Sequence, residues 1–188
     1  MARAKVVAFV ALMGALGNAL FVLSQSVFTI GQVALDLSHV ATFISAIFGG
    51  PLLGGVVGVL VGLGTGLYFG FIGGSLGLLG LIGLPVGKAL TGVTAGFLSR
   101  ALSNNASPSS RRTFLVVLVS YVPECIFMVF FFLVLVPTFL SPDVAAFLVP
   151  LLTPILAKAW IEIAFMAFLM GALAGNKGFV DFVRGFLA

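Results

Sequence analysis

Gly50-Pro-Leu-Leu-Gly54-Gly-Val-Val-Gly58-Val-Leu-Val-Gly62-Leu-Gly-Thr-Gly66-Leu-Tyr-Phe-Gly70-Phe-Ile-Gly-Gly74 contains no charged residue and puts a glycine on every fourth position. In lipid, small residues four apart form a smooth groove that admits another backbone, because helix association there depends on packing rather than on apolar burial. The repeat of 4 exceeds the helical period of 3.6, so the stripe drifts by about 40° per step, winds round the helix and can face more than one neighbour. The stretch predicts a helix over 51–70, with Pro51 in its first turn where proline is tolerated. The ladder is read as packing within the chain, with a subunit contact as the alternative.

The surroundings have the same character. Of 188 residues, 61% are hydrophobic and 7% charged, and the mean hydropathy is +1.31. Too little polar side chain is present to cover a water-facing surface, so composition places the chain in a bilayer. The formal charge is +4, but the basic residues are scattered points rather than a stripe able to track phosphates, which argues against nucleic-acid binding. Cys125 is the single cysteine, which excludes an intrachain disulfide framework and a cysteine-based zinc cage.

A membrane-crossing helix needs about 20 mostly apolar residues. By that measure the chain reads as an all-α polytopic membrane protein, one integral domain over 1–188 with six transmembrane helices at about 6–24, 33–49, 51–70, 76–98, 113–136 and 145–174. The first could pass for a signal peptide, since Arg3 and Lys5 precede it, but its apolar run is too long and further spans follow. Asp36, Ser38 and His39 interrupt the start of the second. The stretch from Arg100 to Arg112 is the one clearly hydrophilic segment and reads as a loop. Pro150 and Pro154 interrupt the start of the sixth helix.

Lys and Arg prefer the cytoplasmic side. Six spans put Arg3 and Lys5, Arg100, Arg111 and Arg112, and Lys177 and Arg184 all on one side, while the opposite loops contain no Lys or Arg. Both termini are therefore expected in the cytoplasm. The tail 178–188 alternates Phe179, Phe182, Val183 and Phe186 with Asp181 and Arg184, which suits a helix lying in the interface, a frayed tail being the alternative.

Ionisable groups within a membrane cost at least about 2.5 kcal/mol each, so each is a candidate functional residue. Lys88, Glu124, Lys158 and Glu162 lie deep in predicted helices. Two positive and two negative charges could simply neutralise one another. Lys158 and Glu162 share a helix face at i, i+4. Glu124 shares a face with Ser120 and Tyr121, and Lys88 with Thr91. Asp36 and His39, three apart, could present two metal ligands, but two ligands do not make a site, and no metal is expected. The aromatic residues Phe28, Tyr68, Phe69, Phe71 and Trp160 could stack on a ring-containing ligand.

The first helix carries a second ladder, Ala11, Ala15 and Ala19, for which contact with another protein is the stronger reading than for the glycines. Together with six short helices, this ladder, Leu37-Ser38-His39-x-x-x-Phe43, Phe48-Gly49-Gly50-Pro51-Leu52-Leu53-Gly54-Gly55 and the run from Gly87 to Gly96 resemble a substrate-binding S component of an energy-coupling factor (ECF) vitamin transporter. The resemblance covers nearly the whole chain through loose motifs. It implies a cell-membrane subunit that captures a vitamin or related micronutrient from outside. A transmembrane coupling protein and two ATPase subunits then drive it to topple and release substrate inwards. It implies that Ala11, Ala15 and Ala19 contact the coupling protein, and that substrate lies beneath the loop from Ser24 to Gln32, which contains Phe28, among helices four to six. The substrate-binding candidates are then Phe28, Asp36, His39, Lys88, Tyr121, Glu124, Lys158, Trp160 and Glu162. The metal-binding members use an N-terminal Met-His segment, whereas this chain begins Met1-Ala2-Arg3.

No cofactor is expected in the chain itself, ATP being used by the separate ATPases. Gly83-Leu-Pro-Val-Gly87-Lys88-Ala89 is one residue short of a phosphate loop and lacks Ser/Thr after the lysine. Enzyme motifs of the Gly-x-Ser-x-Gly or His-Glu-x-x-His kind do not occur. The competing expectation is a self-sufficient proton-coupled carrier that uses Glu124 or Glu162. A carboxylate-bearing ligand is favoured, because Lys88 and Lys158 could meet one.

Overall fold

The computed structural model describes residues 3–27, 29–30, 33–34, 36–103 and 108–187. It is helical apart from one small hairpin: α1 (Arg3–Val27), β1 (Thr29–Ile30), β2 (Val33–Ala34), α2 (His39–Gly49), α3 (Pro51–Ile72), α4 (Gly77–Ser103), α5 (Ser110–Phe139), α6 (Pro142–Gly175) and α7 (Lys177–Leu187). The strands pair antiparallel, Thr29 opposite Ala34 and Ile30 opposite Val33. Five helices, α1, α3, α4, α5 and α6, are long and apolar enough to cross a membrane. Leu52 and Ile72 are 76% and 77% exposed, whereas Lys88 and Glu124 are 5% and 8% exposed. An apolar exterior around a charged interior reverses the order of a water-soluble fold. By length and composition these helices suit a multi-pass membrane protein.

The second expected helix is shorter than its hydropathy. It begins at His39, not Val33, and its 11 residues rise only about 16 Å, roughly half of a hydrocarbon core of about 30 Å. The cause is local: Asp36 Oδ1 accepts a hydrogen bond from the Ser38 backbone N–H at 2.8 Å, a turn that competes with helical pairing. Val33 and Ala34 are instead taken up by the hairpin. Gly50, at φ +89°, forms the corner into α3, and Pro51 opens that helix. The other helices overrun their expected ends by a few residues.

The glycine ladder faces α4 along its length. A methyl group at Gly54, Gly58, Gly66 or Gly70 would stand 2.5, 2.5, 2.9 or 2.6 Å from the carbonyl oxygen of Gly92, Lys88, Gly80 or Gly77, and one at Gly62 would strike Pro85. From Gly58 to Gly70 the stripe meets α4, whereas at Gly54 it meets both α4 and Ala46 of α2, 2.6 Å from the added carbon, so there it does face two neighbours. Two further glycines of α4, Gly83 and Gly87, turn towards Phe131 and Glu124 of α5. This makes α4 the central helix.

Gly14 and Gly17 of α1 pack against Leu60 and Val61 of α3. The Asn18 side-chain amide donates to the carbonyls of Gly14 (2.9 Å) and Leu60 (3.1 Å) and so pins α1 to α3. Ala11, Ala15 and Ala19 are exposed on the remaining face. At the end of the bundle away from the hairpin, α7 buries Val180, Val183 and Leu187. Its Phe186 ring meets Phe9 at 6.0 Å, and Phe179 meets Phe48 at 5.9 Å. The tail is thus a docked helix rather than a frayed end. The breaks inside α5 and α6 coincide with proline: a turn at Tyr121 before Pro123, a π-helical turn over Phe131–Leu135 before Pro137, and a 3-10 turn at Val149–Leu151 around Pro150; the π-helical turn Tyr68–Ile72 that ends α3 has no proline beside it.

A buried charge network as candidate functional site

Six of the nine substrate-binding candidates meet in one connected network. At its centre the Lys88 ammonium donates to Asp36 Oδ2 (3.0 Å), to Ser38 Oγ (2.8 Å) and to His39 Nδ1 (2.9 Å). An ammonium can only donate, so His39 Nδ1 is the acceptor and the imidazole proton lies on Nε2. That nitrogen donates to Glu124 Oε2 at 3.1 Å, and the Thr91 hydroxyl donates to the same oxygen. On the other side of Asp36, its backbone N–H donates to Glu162 Oε1. Glu162 also pairs with Lys158 at 3.2 Å.

Each element positions its share for a local reason. Pro85 lies one turn before Lys88 within α4, and the helix presents Lys88 and Thr91 on one buried face. Glu124 follows the break at Tyr121 and Pro123. Asp36 comes directly after the hairpin, and the Leu37 N–H donates to the buried Ser24 Oγ at 3.2 Å, which anchors the connection to α1. The α1–α2 connection therefore dips into the bundle and supplies the carboxylate that the central lysine lacks. Burial works against a charge on Asp36, but the Lys88 ammonium and the hydrogen bonds from Ser38 outweigh it and hold this carboxyl well below the usual carboxylate range.

The charge count differs from the sequence expectation of two positive and two negative groups. Asp36 joins as a third carboxylate beside the two ammonium groups of Lys88 and Lys158. The i, i+4 pairing of Lys158 with Glu162 is present as expected. Asp36 and His39 do come together, but both His39 nitrogens are engaged by Lys88 and Glu124. Among the described residues no group of three His, Cys, Asp or Glu is placed to hold a metal.

Tyr121 and Trp160 stand apart from the hydrogen-bonded chain and pack edge to face on each other, 5.1 Å between ring centres. Tyr121 is buried, whereas Trp160 is 37% exposed. Phe28 lies outside the described residues. Of the other aromatic candidates, Tyr68 and Phe69 pack with Phe21, while Phe71 points outwards. Sequence reasoning missed Ser24 and Ser38. The Asp36-x-Ser38 spacing was a readable turn signal, but nothing marked Ser24 among other helical serines.

Compared with known proteins, the chain matches no family model, no curated protein and no solved structure. The geometry of the network is therefore the main guide to function.

Proposed function

We propose that the chain is a membrane-embedded substrate-capture subunit of the ECF S-component type, a binding and translocation protein rather than an enzyme. In this reading it resides in the cell membrane with both ends of the chain cytoplasmic, takes a vitamin-like micronutrient from outside, and depends on a transmembrane coupling protein and two ATPase subunits. The observation that carries the reading is the Asp36–Lys88–His39–Glu124 network with Glu162 and Lys158. Charges inside a bilayer cost free energy and concentrate where ligands or ions are handled. Here they converge from three helices onto the segment following the hairpin, which gives a ligand of mixed charge partners of both signs. The exposed faces of Ala11, Ala15 and Ala19 add support, because α1 uses a different set of small residues for packing inside the bundle.

The direct test is to denature the purified protein, identify co-released small molecules by mass spectrometry, and follow with a thermal-shift panel of vitamins. A ligand that binds the native state raises the melting temperature by mass action. Ala15→Trp is expected to abolish uptake in cells while leaving the binding constant unchanged. Intact uptake in that variant removes the coupling role of α1.

The His39 link between Lys88 and Glu124 favours a second reading, a proton-coupled carrier acting without ATPases. It requires transport by the purified chain alone in liposomes under a proton gradient, stopped by Glu124→Gln or Glu162→Gln. That result overturns the ECF reading. Ligand binding with no transport by the isolated chain supports it.

A further inference from the structure

α7 leaves α6 at a single corner residue. Asn176 has extended backbone, and its side-chain oxygen accepts the Phe179 N–H at 3.1 Å, which sets α7 off as a helix of its own. Its 11 residues rise only about 16 Å, too little to cross a bilayer. It runs instead past the ends of two other helices, Phe179 against Phe48 of α2 and Phe186 against Phe9 of α1.

The bundle takes only part of the apolar surface of α7. Val180, Val183 and Leu187 are buried, whereas Phe182 is 72% exposed and Phe186 36%. The edge that carries Arg184 is turned under the bundle, because this side chain lines a cavity with Ser99 of α4 and Thr113 of α5. Two residues on a helix stand about 160° apart, so Phe182 projects from the opposite edge, outwards from the bundle. An exposed phenyl ring beside a half-exposed one, on an amphipathic helix too short to span, fits the boundary between headgroups and acyl chains.

Charge says which lipids. Lys5, Arg100, Arg111 and Lys177 are exposed at this end of the bundle, against Asp181; Arg184 has a partner of its own. At the hairpin end the exposed Asp143 is acidic. Basic side chains at the membrane surface are attracted to anionic headgroups. A second copy covering Phe182 from the same edge would set two basic ends side by side, and like charges brought together oppose association.

We propose that α7 docks this end of the bundle on an anionic phospholipid surface, with Phe182 and Phe186 entering the acyl boundary and the exposed lysines and arginines meeting the phosphates. The docking does not depend on the proposed transport function.

The test uses the full chain with Trp160→Phe and Phe182→Trp, in vesicles of equal parts phosphatidylcholine and phosphatidylglycerol, with bromine near the ester end of the acyl chains of one lipid or the other. Both lipids are expected to quench the new indole, with an apparent preference for phosphatidylglycerol of about threefold or more. Lys177→Gln together with Arg111→Gln is expected to cut that preference to less than about twofold. If Trp160→Phe does not fold, Cys125→Ala with Phe182→Cys carries a spin label to the same place. Its relaxation by oxygen, which dissolves in lipid, is then expected to exceed that by a water-soluble nickel chelate, and by more in the mixed vesicles than in pure phosphatidylcholine. The proposal is overturned if aqueous iodide quenches the indole and neither lipid does, or if the chelate reaches the label better than oxygen does. It is equally overturned if the two lipids quench alike, if the preference survives both Gln substitutions, or if neither lipid nor iodide reaches the indole, as burial against a second copy would leave it.

Discussion

Lys88→Met is expected to destabilise the protein by about 3–5 kcal/mol, because removing one partner of a buried ion pair leaves an uncompensated charge. The loss should be large for this pair, since the same ammonium also donates to Ser38 and His39. Without it, Asp36 and Glu124 face each other's field across His39, and the connection after the hairpin loses its tie to the central helix. Thermal unfolding in detergent measures the effect. Adding Asp36→Asn to Lys88→Met should recover part of the loss, because a neutral amide tolerates the vacancy, and the two singles with the double close a cycle that isolates the pair. Unfolding of Lys88→Met at the wild-type temperature would show that the network contributes nothing to the fold.

Gly58→Leu is expected to cost about 3 kcal/mol, at the upper end of overpacking penalties. Most core substitutions that add atoms are relieved by side chains that turn aside. Here the obstacle is backbone: the first added carbon would stand 2.5 Å from the Lys88 carbonyl oxygen and 2.9 Å from Ala89 Cα. The helices must separate, and in separating they displace Lys88 from Asp36 and His39. Any ligand that uses the network should therefore lose affinity along with the loss of stability. Val59→Leu, one position on and 40% exposed, should unfold like wild type. If Gly58→Leu did so too, the tight contact between α3 and α4 would be wrong.

The five long helices were legible because crossing a bilayer imposes a length and an apolar composition that few other structures need. The start of α2 was not, because Val33, Ala34 and Leu35 continue the apolar run of the helix and only a hydrogen bond at Asp36 shows where it begins. The glycine periodicity identified a stripe but not its neighbour, since a period says which residues share a face and nothing about what covers it. The site divides in the same way. Cost alone marked Lys88, Glu124 and Glu162, and helix geometry paired Lys158 with Glu162. The partnership of Lys88 with Asp36 spans 52 positions and comes from the connection folding inwards, which no local pattern records. Asp36 and His39 were recognised as neighbours, and their true partner is an ammonium on another helix.

The shortness of α2 has a consequence for how the protein is made. Eleven residues cannot hold a bilayer on their own, and a single corner residue, Gly50, joins them to α3. In a bilayer the two would therefore insert together as a hairpin. In that order Asp36 and His39 arrive before the helix that carries Lys88 has entered. The connection must wait near the water boundary, its carboxylate hydrated, until α4 slides along the glycines of α3 and brings the ammonium into place. Assembly of the charged centre is thus coupled to the order of translation, and a delay before α4 would prolong exposure of that unfinished intermediate to membrane quality control.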